Sequence, residues 1–291
     1  MSGLGLIAAT YGLVRLAYGL FLPDVQRDLG LRSDAAGWVS SGASALYCVG
    51  AVAGFLLAAR MPRVLVAVAT LVAGVGAIAM ATADGAVPFG VSALLSSAGA
   101  GLASPALVRL VEEQVPSALL GRAQAVVNAG TGPGLVGAGV LALVLLPDWR
   151  TAWAVSAVFA LAVGTLLLVV SRGGAATSRP PLPGAPWFAA HRGVIVLALL
   201  FGAGSAVVWT YGRSALVDAG ASVVVSVSAW IALGVGGAAV VVTARWTNGL
   251  HARTLWAVTA GSVAVAVVVL GTLPQSTVAA LLACAVFGWG Y

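Results

Sequence analysis

Apolar stretches of about twenty residues, the length that crosses a bilayer as a helix, recur along the chain with short polar gaps between them. They cover residues 3–23, 37–59, 63–83, 86–110, 121–146, 149–171, 193–213, 222–245 and 255–273. A tenth stretch runs from Thr277 to Tyr291. Its fifteen residues rise only ~22 Å as a helix, short of the ~30 Å hydrocarbon core. The tenth span is therefore expected to be partial, from a C-terminally truncated chain or one ending part-way into the membrane. Within the stretches apolar residues are continuous rather than alternating. Lipid leaves every backbone polar group to be satisfied within the protein, so only helices or closed barrels remain, and barrel strands would be shorter and alternating. The pattern predicts an all-α, polytopic membrane helix bundle.

Composition strengthens that reading. The chain is 61% apolar and 8% charged, with a mean hydropathy of +1.07, far from the balance of a soluble domain. The net charge of +6 does not point to nucleic acid, because the basic residues are all Arg and are scattered through the gaps. Gaps after even-numbered spans hold nine of them, from Arg60 to Arg253, and gaps after odd-numbered spans hold Arg27, Arg32, Arg150 and Arg213. The positive-inside bias then puts the N-terminus in the cytoplasm. No basic region precedes the first stretch and no small-residue cleavage site follows it, so it reads as a retained span.

The longest gap contains Arg179-Pro180-Pro181-Leu182-Pro183-Gly184-Ala185-Pro186, a linker composition that opposes helix. The expected organisation is a six-helix bundle over 1–171, a cytoplasmic Pro-rich linker over 172–192 and an incomplete second bundle over 193–291. A faint repeat supports two halves: Tyr18-Gly19 is followed twenty residues on by Trp38, and Tyr211-Gly212 nineteen residues on by Trp230. Related halves joined by a cytoplasmic segment are the plan of parallel-repeat transporters.

Arg15 is the main candidate for chemistry. A cation in mid-span costs ~2.5–3.5 kcal/mol on insertion scales, so it should face protein or water. Tyr11, Arg15 and Tyr18 are spaced i, i+4 and i+7 and share a helix face. A guanidinium between phenols can hold an anionic or aromatic ligand; alternatively Arg15 snorkels toward Asp24 or ties its helix to a neighbour. Trp209 is a second cavity candidate, whereas Tyr211 reads as an interfacial anchor and Arg213 as a partner for Asp218. In the fifth span Gly130 and Gly134 have small-xxx-small spacing for close helix approach, Pro133 should kink the helix, and Asn128 and Thr131 are polar contacts for a pathway. Cys48 and Cys284 match no metal or redox spacing and read as small core residues. His191 and His251 lack ligand-spaced partners, no nucleophile–base pair is visible, and a chain without Lys has no phosphate-binding Gly-x-x-x-x-Gly-Lys loop. No cofactor or metal and no enzyme activity is expected; the partners are the lipid bilayer and a small-molecule substrate.

The string Tyr11-Gly12-Leu13-Val14-Arg15-Leu16-Ala17-Tyr18-Gly19-Leu20-Phe21-Leu22-Pro23 resembles the first span of the major facilitator superfamily, in particular its bacterial YbfB/YjiJ-type branch. Asn128-Ala129-Gly130-Thr131, Trp209-Thr210-Tyr211-Gly212-Arg213 and Phe287-Gly288-Trp289-Gly290-Tyr291 add to the likeness, which spans the chain. The resemblance implies a multi-pass carrier of the bacterial inner (plasma) membrane that moves a small organic solute by alternating access. Spans one, four, seven and ten would line the cavity, with Tyr11, Arg15, Tyr18, Asn128, Thr131 and Trp209 as substrate-binding candidates. Departures accompany it: the loop after span two keeps Gly54, Leu56 and Arg63 of a Gly-x-Leu-x-Asp-Arg-x-Gly-Arg pattern without its Asp, and residues 89–101 lack the Arg often found early in span four. No acidic residue falls inside the stretches as drawn, which leaves proton coupling open. Two other readings stand beside it, a ten-span drug/metabolite-type carrier and a truncated remnant that does not transport.

Overall fold

A computed structural model describes residues 2–171, 184–247 and 249–291. Among them nine helices are long and apolar enough to cross a membrane: α1 (Ser2–Leu29), α2 (Ser33–Leu57), α3 (Pro62–Ala81), α4 (Ala86–Gln114), α5 (Ser117–Leu145), α6 (Trp149–Val170), α7 (Ala185–Asp218), α8 (Val223–Thr247) and α9 (Ala252–Thr272). A shorter apolar helix, α10 (Thr277–Gly290), follows. The fold is the expected all-α bundle, with ten elements where the apolar stretches lie. Within α1–α6 and within α7–α10 successive helices alternate in direction across short connections; Gly19 meets Trp209 and Asp24 meets Arg213, so α1 and α7 both run from a near end, which holds the N-terminus, to a far end.

Two helices outrun their expected limits. The first continues through Pro23, because a proline removes only its own N–H and bends rather than ends a helix that its neighbours hold. Asp24 consequently lies inside α1, buried, and not in a polar gap. The seventh begins at Ala185, with Pro186 in its first turn where the missing N–H costs nothing. Most of the expected linker, 172–183, lies outside the described residues; its last part, from Ala185, is helical.

Glycines set the closest approaches. A Cβ on Gly12 would lie 2.5 Å from the Gly134 backbone, and one on Gly134 would lie 2.3 Å from the Ala8 carbonyl oxygen. The same helix turns Gly132 toward Gly234 and Ala238 of α8, and Gly139 toward Ile231. The small residues of α5 therefore seat α1 on one side and α8 on another. The helix is interrupted at Ala129–Gly130, between segments Leu120–Asn128 and Thr131–Leu145. The interruption sits four residues ahead of Pro133, where the ring displaces the carbonyl.

Charged groups at the near end close helix termini. Arg63 donates to the carbonyls of Ser171 at 2.5 Å and Leu168 at 2.8 Å, a cation on the last carbonyls of α6. Arg109 pairs with Glu112 at 3.1 Å and Glu113 at 3.3 Å along the end of α4. At the far end Arg150 stacks over Trp149 and reaches Asp28. Asp148 caps α6, accepting from the Thr151 N–H at 3.1 Å, and these Thr151 bonds hold its carboxyl below the ordinary carboxylate range.

Candidate functional site

The site begins with an irregularity in α1. Residues Ala8–Arg15 form a π-helical stretch, and the Leu16 N–H donates to the Tyr11 carbonyl, five residues back, at 2.8 Å. Such widened turns occur inside α-helices where function demands a re-aimed side chain. Arg15 closes this stretch. Its guanidinium lies over the Tyr47 ring of α2, 4.2 Å from the centroid, and its Nε is buried without a hydrogen-bond partner. Tyr11 stands behind the same ring: its hydroxyl and that of Tyr47 are 3.0 Å apart, and the rings meet edge to face. Tyr11 and Arg15 thus share a face of α1, as their spacing predicts, and Tyr47 is what they share it with.

Arg15 opens into a cavity of about 680 Å³ between α1, α2 and α4 on one side and α7 on the other. Tyr18 and Trp209 line it as well, together with Ser40, Ser44, Tyr47, Ser96, Ser97, Ser205, Thr210, Tyr211 and Tyr291. Arg15 is the sole charged residue among its lining. Trp209 packs edge-on against Trp230, Phe287 and Tyr291, an aromatic corner formed by α7, α8 and α10. Of the six candidate residues, Arg15, Tyr18 and Trp209 line this cavity and Tyr11 braces it. Asn128 is exposed and Thr131 half-buried at the break in α5, and neither is part of the lining.

The cavity is closed at its far end. Arg213, buried in α7, is paired with Asp24 of α1, the two side chains being 1% and 3% exposed. Arg213 also donates to the Leu20 carbonyl at 2.6 Å and to Ser226 Oγ at 3.2 Å. Beside this pair, a Cβ on Gly19 would lie 2.0 Å from the Trp209 carbonyl oxygen, and the Ser40 and Thr210 hydroxyls are 2.6 Å apart. The repeat-related phenols act alike: Tyr18 donates to the Ala36 carbonyl at 3.1 Å and Tyr211 to the Ser33 carbonyl at 2.8 Å, both in the first turn of α2. Toward the near end Val194, Val196, Leu199 and Leu200 of α7 are exposed, and among the described residues nothing lies within 4 Å of a Cβ placed on Gly193, Gly202 or Gly204.

Several sequence expectations change here. Arg213 meets Asp24 rather than Asp218, and Arg15 does not reach Asp24. An acidic residue does lie within a span, since α1 encloses Asp24. Tyr211 lines the cavity instead of anchoring at an interface, and Cys48 is an exposed lining residue, whereas Cys284 is buried as a core residue should be. The contribution of α2 was legible but unread: Ser40, Ser44 and Tyr47 follow i, i+4, i+7 spacing, a polar stripe on an otherwise apolar helix.

The family model of the Major Facilitator Superfamily matches residues 4–291. The chain belongs to this superfamily. It is a multi-pass membrane protein and a secondary transporter, not an enzyme, which sets aside the drug/metabolite-type carrier reading. Solved major facilitator structures are similar in fold. The nucleoside transporter NupG superposes with a TM-score of 0.75 at 12% identity, over 99% of this chain and 79% of that one. The xylose transporter XylE from E. coli, in a partially occluded inward-open conformation, gives 0.70 at 17% identity over 99% and 80%. A bacterial homologue of the human lysosomal transporter Spinster, inward-facing and occupied, gives 0.65 at 14% identity over 99% and 72%. No curated protein sequence matches.

Proposed function

We propose that this major facilitator protein carries a small organic solute across the bacterial inner membrane by alternating access, with the Arg15 cavity as its substrate site. The supporting observation is the cavity's asymmetry: it is sealed at the far end by Asp24 and Arg213 and open toward the near end, where α7 is exposed. The positive-inside bias assigns the near end to the cytoplasm, so this conformation faces inward. Residues 1–171 form one bundle and α7 to α10 belong to the other. Their rocking about the cavity, breaking the far-end seal and closing the near end, exposes the site to each side in turn. Arg15, Tyr18 and Trp209 hold the substrate directly, Tyr11 fixes Tyr47 beneath the guanidinium, and Asn128 and Thr131 contribute on the pathway at the break in α5.

The test is counterflow in proteoliposomes against a panel of labelled organic acids, sugars, nucleosides and amines. Saturable counterflow of at least one compound, lost in Arg15→Ala with membrane insertion intact, is expected. Counterflow that survives Arg15→Ala removes Arg15 from the site. Absence of counterflow for the whole panel, with no movement of the far-end seal, refutes the carrier reading.

A further inference from the structure

We infer that the substrate is an organic monoanion, a carboxylate or similar single negative group on an apolar or aromatic body. This rests on the cavity being the substrate site and adds its chemical class.

Charge balance in the cavity points to an anion. Arg15 carries a fixed positive charge, since a guanidinium does not deprotonate in proteins. Among the described residues the buried Arg213 has Asp24, which Arg27 shares, Arg32 has Asp34, Arg109 has two Glu and Arg150 has Asp28, whereas Arg63 meets helix-end carbonyls and Arg245 lies over Trp246. Among the described residues no carboxylate pairs with Arg15, and no Asp or Glu lines the cavity. It lies over the face of Tyr47, a cation–π contact that leaves the charge uncancelled and the Nε unbonded.

The part of the guanidinium that faces the open cavity is accessible to water, and the carrier must then close around its load. A neutral ligand would strip that water and return no charge, and a cation would add repulsion. A single anion restores neutrality and accepts hydrogen bonds from the guanidinium N–H groups that face the cavity, so occlusion favours it alone. The planar fork of Arg suits a carboxylate, and one cation without a second nearby suits one negative charge. The remaining walls fix the body of the molecule: Tyr18, Tyr47, Trp209, Tyr211 and Tyr291 present ring surface, and the serines of α2 and α4 present small polar contacts.

The protein holds its own reporter. Cys48 lines the cavity, and the second cysteine of the chain, Cys284, is buried in α10. In a Cys284→Ala background, Cys48 is reacted with sulfonatoethyl (anionic) and trimethylammonioethyl (cationic) methanethiosulfonates of similar size. The anion-to-cation rate ratio should fall about tenfold in Arg15→Gln and persist in Arg15→Lys, because one unit charge across a low-dielectric cavity acts oppositely on the two reagents. A ratio indifferent to Arg15→Gln overturns the inference. Protection of Cys48 is then compared for 3-phenylpropionate, its amide and its amine. The acid should protect at concentrations at least tenfold lower than the amide, and the amine should not protect. If the amide protects as well as the acid, the anion assignment fails while the cavity stands as a ligand site. The counterflow and seal measurements judge the carrier reading separately.

Discussion

Asp24→Asn offers the sharpest test of the far-end closure. The substitution keeps the shape of the side chain and removes its charge, leaving Arg213 as a buried cation whose remaining bonds are to the Leu20 carbonyl and Ser226 Oγ. Removing one partner of a buried ion pair costs about 3–5 kcal/mol. The two surviving neutral acceptors place this case near the lower end, at about 3 kcal/mol. A conformation in which the far end opens hydrates Arg213 and escapes the penalty. At 1.4 kcal/mol per tenfold, the balance should move about a hundredfold toward the open far end. Spin labels on Arg32→Cys and Asp218→Cys, both exposed at that end, in a background without Cys48 and Cys284, read the change as a longer distance by electron–electron double resonance. The exchanged pair Asp24→Arg with Arg213→Asp should shorten it again. An unchanged distance distribution in Asp24→Asn, with the protein folded, would refute the assignment of this pair as a seal.

Gly134→Val should lower thermal stability in detergent by about 1–3 kcal/mol, since even its Cβ meets the Ala8 backbone; an unaltered melting temperature would show that α1 and α5 are not held at this spacing. The Asp148 carboxyl is depressed by its Thr151 bonds, so its cap is fully present above the ordinary carboxylate pKa. The contribution fades as pH falls through the lowered value. Asp148→Ala should cost about 0.5 kcal/mol at neutral pH and remove that acid-side dependence, read as melting temperature against pH.

Ten helices, their order and their alternation were legible along the chain because lipid imposes one requirement on every span: continuous apolar length with internal hydrogen bonding. Arg15 was legible for the same reason, as a cation is conspicuous where charge is expensive. The ends of spans were less so. Pro23 and the proline cluster before Trp187 looked like stops, but a helix supported by neighbours runs through the first and starts on the second. That misplaced boundary hid Asp24, and with it the residue that Arg213 meets 189 positions away.

What the sequence determined by itself was therefore the membrane class, the number of helices, the family likeness and one cation in mid-span, all properties of single segments against their solvent. Which end of the cavity is shut, which residues face Arg15, and whether a serine stripe, a cysteine or a tyrosine belongs to the site were decided by tertiary structure. Apolar helices present similar surfaces to lipid and to one another, so their rotation and partners are set by where small residues allow contact and where buried charges find each other. Those conditions join residues far apart in the chain, and no local pattern records them.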